Sequence, residues 1–248
     1  MLGIIGGTGL TQLANLEITH RKVARTPYGE ASGALTFGHI CDQEVIFLAR
    51  HGYGHTIPPH EVNYRANLWA LKDHGVDRVV SVATVGGIHP ELIPGTLVIP
   101  DQIIDYTHGR AATYFVESDK PVTHLDFTFP YCDAMRAALL QAASDAGISL
   151  RDSGVYGAVQ GPRLETAAEI NRMERDGADM VGMTGMPETA LARELGLNYA
   201  TLAVVANYAA GRGENVTAIP LKEIYVILEQ AMIHVRTIIE QWVYCDGD

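Results

Sequence analysis

The sequence predicts a single α/β domain, with a central mixed β-sheet flanked by helices. Three observations carry that prediction. Short β-rich runs alternate with helical patterns along the chain. The apolar runs end in polar or glycine-rich loops. No linker, low-complexity run or repeat divides the 248 residues, a length that one α/β domain commonly fills.

The elements follow in order. Residues 2–5 form a short buried strand that ends in Gly6-Gly7-Thr8-Gly9. Residues 35–40 and 44–49 make a hairpin around Asp42. Residues 63–71 have helical spacing, with Leu68 and Leu71 on one face. Residues 78–84 read as a buried strand that stops at Gly86-Gly87. Residues 96–99 and 102–104 are further strands. Residues 109–128 lack periodicity and read as a functional or interface loop. Residues 132–146 form a helix that Gly147 ends. A strand over 154–160, a helix over 166–175 and a strand over 179–182 follow. Pro187 opens a helix, since proline is favoured at the first helical position. Residues 198–205 are an apolar strand. Residues 221–242 form a long closing helix, its Ile224, Leu228, Ala231, Val235 and Ile238 on one stripe.

Composition narrows the function. Apolar residues make up 47% and charged residues 19%, which is too apolar for disorder. The net charge of −11 argues against non-specific binding to nucleic acid or anionic membrane, though not against small anions in a local basic pocket. Three widely spaced cysteines without a CxxC suggest neither a disulfide framework nor a zinc knuckle. The N-terminus lacks a basic region before its apolar run, and no stretch approaches a membrane span. These features lead us to expect a reduced, cytoplasmic protein.

In open α/β sheets ligands bind beyond the carboxyl ends of strands, so the loops after strands are the place for chemistry. GGTG at 6–9 lets backbone approach an anion, with the Thr8 hydroxyl beside it. It is equally a tight turn, and Gln12 breaks the dinucleotide fingerprint. ARHGYGH at 49–55 supplies Arg50, a planar fork suited to phosphate, and His51; read blandly, it is a surface loop. A metal reading is weaker, because HExxH at His60-Glu61 is broken at Tyr64 and the zinc-protease motif fails. Thr84 and Thr184 stand at strand ends. Each can be a plain turn or cap residue, and Thr184 can also present free helix amides to an anion. Glu165 in GPRLETAAE is either a first-turn carboxylate favoured by the helix dipole or a ligand group. Asn207 after an apolar strand makes a turn, or donates to and accepts from a heterocycle. Together Thr8, Arg50, His51, Thr84 and Thr184 after four strands compose an oxyanion pocket. GxSxG is absent, so no nucleophile elbow is expected.

The set GIIGGTGL, LARHGYGHTIPPHEVNYRANLWAL, GPRLETAAE, GMTGMPE and the strand into ANYA resembles the 5′-methylthioadenosine phosphorylases, which belong to the trimeric purine nucleoside phosphorylases. The resemblance covers nearly the whole chain. It implies one α/β domain, a homotrimer, inorganic phosphate as co-substrate, no cofactor and no metal. It implies a phosphate site of Thr8, Arg50, His51, Thr84 and Thr184, with Met183 on ribose and the base held by the segment Asn207, Tyr208 and Ala209. Leu164 and Glu165 belong to the same substrate side. His124 resembles a residue lent to the neighbouring subunit's site.

Two departures redirect the substrate. The methylthioadenosine enzymes carry an aspartate pair where this chain has Asn207 and Ala209, and usually a small polar residue where it has Glu165. Adenine offers an amino donor at N6. A 6-oxopurine offers an O6 acceptor and an N1–H donor, which Asn207 and Glu165 match as donor and acceptor. The expectation is phosphorolysis of S-methyl-5′-thioinosine to hypoxanthine and 5-methylthioribose 1-phosphate, with Arg50, His51 and Asn207 as the catalytic groups. An apolar wall for the methylthio group is expected from Val216, Ile219, Leu221 and Ile224, which alternatively are core residues of the last helix. The rivals are a methylthioadenosine phosphorylase, a broad 6-oxopurine nucleoside phosphorylase, a nucleoside hydrolase, a non-catalytic nucleoside-binding module and a nicotinamide oxidoreductase.

Overall fold

The computed structural model describes residues 1–10, 13–116, 121–214 and 221–245, without the side chains of 221–223, 225 and 245. The chain opens with β1 (Leu2–Gly6), the exposed β2 (Glu17–Lys22) and a small ribbon of β3 (Arg25–Thr26) and β4 (Gly29–Glu30). The hairpin of β5 (Leu35–Ile40) and β6 (Gln43–Ala49) turns on Cys41 and Asp42. Both have positive φ, 49° and 62°, as a two-residue type I′ turn requires. Helix α1 (Tyr64–Asp73) is capped by the Asn63 side chain, which accepts from the Ala66 amide.

Next come β7 (Arg78–Gly87), β8 (Leu97–Val98), β9 (Gln102–Asp105), α2 (Asp133–Asp145), β10 (Val155–Ala158) and α3 (Ala167–Arg175). The latter starts with a reciprocal capping box between Thr166 and Glu169. β11 (Met180–Gly182), α4 (Gly185–Glu194), β12 (Asn198–Tyr208) and α5 (Leu221–Cys245) complete the chain. Met186 is extended, at φ −118° and ψ 140°, so the regular part of α4 begins at Pro187, as the sequence indicates.

Ten strands join in one mixed sheet among the described residues, in the order β2-β5-β6-β1-β7-β11-β10-β9, with β12 against β7 and β8. Side chains alternate across it. Leu2, Ile4, Val80, Val82 and Leu202 face a core layer closed by α2 and α5 through Leu139, Val235 and Ile239. Ile5, Ile46, Leu48 and Val79 face the opposite layer, closed by Leu68, Leu71 and Leu191 of α1 and α4. The expected α/β domain with helices on both faces is the observed one. Among the described residues no helix is long and apolar enough to cross a membrane.

β7 organises the functional face. One of its edges pairs with β12 along its whole length. The other pairs with β1 from Arg78 to Ser81 and then with β11 at Gly86 and Gly87. Between them residues 82–85 face no strand on that edge, and the chain leaving β1 and β6 enters the gap. This corrects two readings. Thr84 lies within β7 rather than at its end, and Gly86-Gly87 is strand rather than turn. A Cβ on Gly87 would stand 2.0 Å from the Leu92 carbonyl oxygen, so close backbone approach, and not a turn, requires that glycine. β12 likewise runs past residue 205. A bulge between Val205 and Asn207 sets Asn207 opposite Gly86, and bulges of this kind re-aim side chains beside sites.

Candidate active site

Beyond the gap in the sheet lies a cavity of about 560 Å³, a size suited to a small organic ligand. Thr8 after β1, Arg50 and His51 after β6, Thr84 in β7 and Thr184 after β11 all line it. The five residues expected to form an anion site, separated by up to 176 positions, thus line one cavity. Thr8 donates to or accepts from His55 Nε2 at 3.0 Å, and Thr84 Oγ1 donates to the Thr8 carbonyl. Thr184 caps α4 by position, yet its hydroxyl makes no capping bond.

Arg50 departs from its expected role. It is 1% exposed, and its fork faces Glu188 in a bidentate pair: Nε donates to Oε2 at 2.6 Å and Nη2 to Oε1 at 2.9 Å. Nη2 also donates to Ser81 Oγ, and Nη1 to the Val82 carbonyl. Of the five N–H donors of a guanidinium, a single Nη1–H is left for a ligand. The planar fork is therefore built into the fold, and only its edge reaches the anion site. Burial alone would lower the Arg50 pKa, but Glu188 holds it above its ordinary value. Burial likewise favours the neutral form of Glu188, yet Arg50 and the hydrogen bonds from Ser81 and Tyr199 keep its carboxyl below the usual range. Gly7 makes room for this arrangement. A Cβ there would stand 2.5 Å from the Val82 oxygen and 2.8 Å from Arg50 Nη1. Gly7→Ala is expected to raise the KM for phosphate at least tenfold while changing the nucleoside KM little, measured by steady-state kinetics with each substrate varied in turn.

His51 is 5% exposed. Its Nδ1 lies 2.8 Å from the Ile57 carbonyl oxygen, which only accepts, so Nδ1 carries a proton. Burial and then the Arg50 charge push the His51 pKa down to about 4. The ring is neutral at pH 7, with Nε2 an acceptor. His55, which also lines the cavity, has φ +50°, a conformation that non-glycine residues adopt chiefly where surrounding structure enforces it.

The same cavity is also lined by Met183, Leu164, Glu165, Asn207 and Ala209. Asn207 Nδ2 donates to the Tyr208 carbonyl at 2.6 Å, leaving one N–H and Oδ1 for a ligand. Glu165 is partly buried, and that burial raises its pKa. The loop carrying it is fixed by a bidentate pair of Arg163 with Glu169, at 2.7 and 2.9 Å. Arg212 and Glu174, 2.7 Å apart, tie the chain after β12 to α3. Ala209 is 1% exposed and packs with Ile88, Ile170 and Val181. A further apolar side comes from Ile57, Pro58, Pro59 and Ile224.

Two expected residues, Tyr208 and His124, do not line this cavity within one chain. Tyr208 is half-buried in β12 without lining it, and His124 is exposed. Ile219 lies outside the described residues, as do Val216 and the side chain of Leu221; of the expected apolar wall, Ile224 reaches the cavity. Sequence reasoning missed Glu188 and also Arg110. Arg110 donates to the carbonyls of Met183, Met186, Val159 and Gln160, and so pins the long loop after β9 to the backbone behind Met183 and Thr184.

Residues 1–240 match the Phosphorylase superfamily. The chain belongs to that family. A probable S-methyl-5′-thioinosine phosphorylase of Pseudomonas syringae pv. tomato is 52% identical over 233 residues, which cover 94% of each chain. A 6-oxopurine nucleoside phosphorylase of Pyrococcus furiosus is 48% identical over 215 residues, covering 85% of this chain and 80% of that protein. The methylthioadenosine phosphorylase of Schistosoma mansoni in complex with adenine superposes with a TM-score of 0.95 at 33% identity, covering 99% of this chain and 91% of that one. The resemblance found in the sequence motifs and the fold are therefore of one kind: the chain has the architecture of a nucleoside phosphorylase.

Proposed function

We propose that this protein catalyses phosphorolysis of S-methyl-5′-thioinosine, giving hypoxanthine and 5-methylthioribose 1-phosphate. The observation that supports the reading is that Asn207, Glu165 and the apolar Ala209 line one cavity. Together they offer a donor for O6 or N7 and an acceptor for N1–H. The relatives named for methylthioinosine and for 6-oxopurine nucleosides support it. Ile57, Pro58, Pro59, Leu164 and Ile224 favour a methylthio over a hydroxymethyl 5′ end.

In this mechanism the glycosidic bond loosens towards an oxocarbenium-like sugar, and phosphate captures C1′. The Thr8 and Thr184 hydroxyls, the remaining Arg50 Nη1–H and His51 position phosphate, with Thr84 joining them once its O–H turns from the Thr8 carbonyl to the anion. Asn207 stabilises charge developing on the leaving purine, and Glu165 orients it. Met183 packs against the ribose. No covalent enzyme intermediate, cofactor or metal is invoked, and phosphate is the co-substrate. The working form is a homotrimer in the cytoplasm, each subunit extending His124 to its neighbour's site; the exposure of His124 suits that role.

The test is phosphate-dependent release of free base from methylthioinosine, methylthioadenosine and inosine in parallel. Methylthioinosine is expected to have the highest kcat/KM, with no release when phosphate is omitted. Preferential adenine release from methylthioadenosine overturns the reading of Asn207 and Glu165. Cleavage without phosphate makes the protein a hydrolase. A second reading, inosine as the main substrate, is favoured by the 6-oxopurine relative, and the same assay separates it.

A further inference from the structure

The anion wall is electrically balanced. The Arg50 charge is matched by Glu188 inside the protein, and His51 is neutral, with Glu188, His55 and Arg50 as its charged or titratable neighbours. Recognition there depends on the pattern of hydrogen bonds rather than on charge. Thr8, Thr184 and Arg50 Nη1 can all donate, while Thr84 spends its O–H on the Thr8 carbonyl. His51 differs: Nδ1–H is fixed on the Ile57 carbonyl, and among the described residues Nε2 has no hydrogen-bond partner. An anionic oxygen placed against that lone pair is repelled, whereas an O–H placed there donates to it.

We propose that His51 Nε2 reads the proton on the incoming anion, so that the site takes hydrogen phosphate and rejects sulfate. The inference rests on the phosphorolysis reading. Both anions are tetrahedral dianions of similar size, so neither charge nor shape separates them. Only hydrogen phosphate carries an O–H at neutral pH. The proton balance agrees: a neutral nucleoside and hydrogen phosphate yield a sugar phosphate dianion and a neutral purine, so the proton that phosphate brings ends on the base.

The experiment uses sulfate as a competitor and arsenate as a proton-bearing surrogate. In the unaltered enzyme arsenate is expected to support base release with a KM within about fivefold of that for phosphate. Sulfate should compete with a Ki at least thirtyfold above the phosphate KM. In His51→Gln, whose amide can donate an N–H, the ratio of sulfate Ki to phosphate KM should fall tenfold or more. Should His51→Gln turn over too slowly, the two anions are titrated calorimetrically against both proteins and the ratio of dissociation constants serves instead. Sulfate binding as tightly as phosphate to the unaltered enzyme, or an unchanged ratio in a folded His51→Gln, overturns the proposal while leaving phosphorolysis intact. Absence of phosphate-dependent base release from every nucleoside, before any sulfate is added, instead removes the phosphorolysis reading and this proposal with it.

Discussion

Glu188→Ala is expected to destabilise the protein by about 3–5 kcal/mol, the usual cost of removing one partner of a buried ion pair. Glu188 and Arg50 are each 1% exposed. Without the carboxylate, the guanidinium is left charged in the core with one fewer bidentate partner, and Ser81 and Tyr199 lose their acceptor. Phosphate use should fall with it, since the Nη1 edge is aimed by the same pair. Urea unfolding measures the first effect and phosphate-varied kinetics the second. A single-variant loss under about 1 kcal/mol would contradict the role given to this pair. The double variant Arg50→Met with Glu188→Leu separates structure from function. Replacing a buried pair by apolar groups of similar volume is often neutral, so much of the stability should return. The phosphate-dependent activity should not, because no Nη1–H remains. The sign with pH follows from the depressed Glu188 carboxyl. Its contribution is present above the ordinary carboxylate range and is lost as pH falls through the lower folded value.

How much of this was legible beforehand divides by the range of the signal. The β5–β6 hairpin and the spans of α1 and α3 were readable because turn chemistry and periodicity are local. β2 was not, because all six of its residues are exposed and no buried face patterns them. Its place at the sheet edge comes from pairing with β5, which the sequence of β2 does not encode. The extent of β7 was misjudged because glycine reads as a breaker, whereas Gly87 serves close backbone packing. Each residue proposed for the anion site was singled out by its motif. Glu188 was not, since an acidic residue in the first turn of a helix already has a local explanation. Its partner lies 138 positions away, and burial, which distinguishes a structural pair from a helix-dipole residue, is a property of the fold. Arg110 escaped for a related reason: its partners are backbone carbonyls, which leave no mark in the sequence.

The largest change in specificity is expected from Asn207→Asp combined with Ala209→Asp. In the present site Asn207 donates to the Tyr208 carbonyl. Aspartate at 207 would set a carboxylate oxygen against that carbonyl, an arrangement relieved when the acid is protonated. A protonated acid donates to N7, and an ionised partner at 209 accepts from the amino group of a 6-aminopurine. Against O6 of hypoxanthine the same pair presents an acceptor to an acceptor. Sites that leave a buried polar group unpaired discriminate by roughly 10⁴–10⁵ in favourable cases. Two substitutions in a wall evolved for another base should deliver less, so we expect the ratio of kcat/KM for methylthioadenosine to that for methylthioinosine to rise about 100-fold or more. Much of that rise should be loss on methylthioinosine. Stability should fall too, because Ala209 is 1% exposed among Ile88, Ile170 and Val181 and an incompletely paired polar group there costs about 1–3 kcal/mol. Glu165→Ser, which removes the acceptor for N1–H, should weaken methylthioinosine use by itself and add to the shift in the triple variant. Kinetics with both nucleosides under saturating phosphate, on variants shown by circular dichroism to be folded, decide the matter. An active double variant with an unchanged ratio would mean that the base is recognised elsewhere in the cavity, and the hydrogen-bond argument from Asn207 would fall.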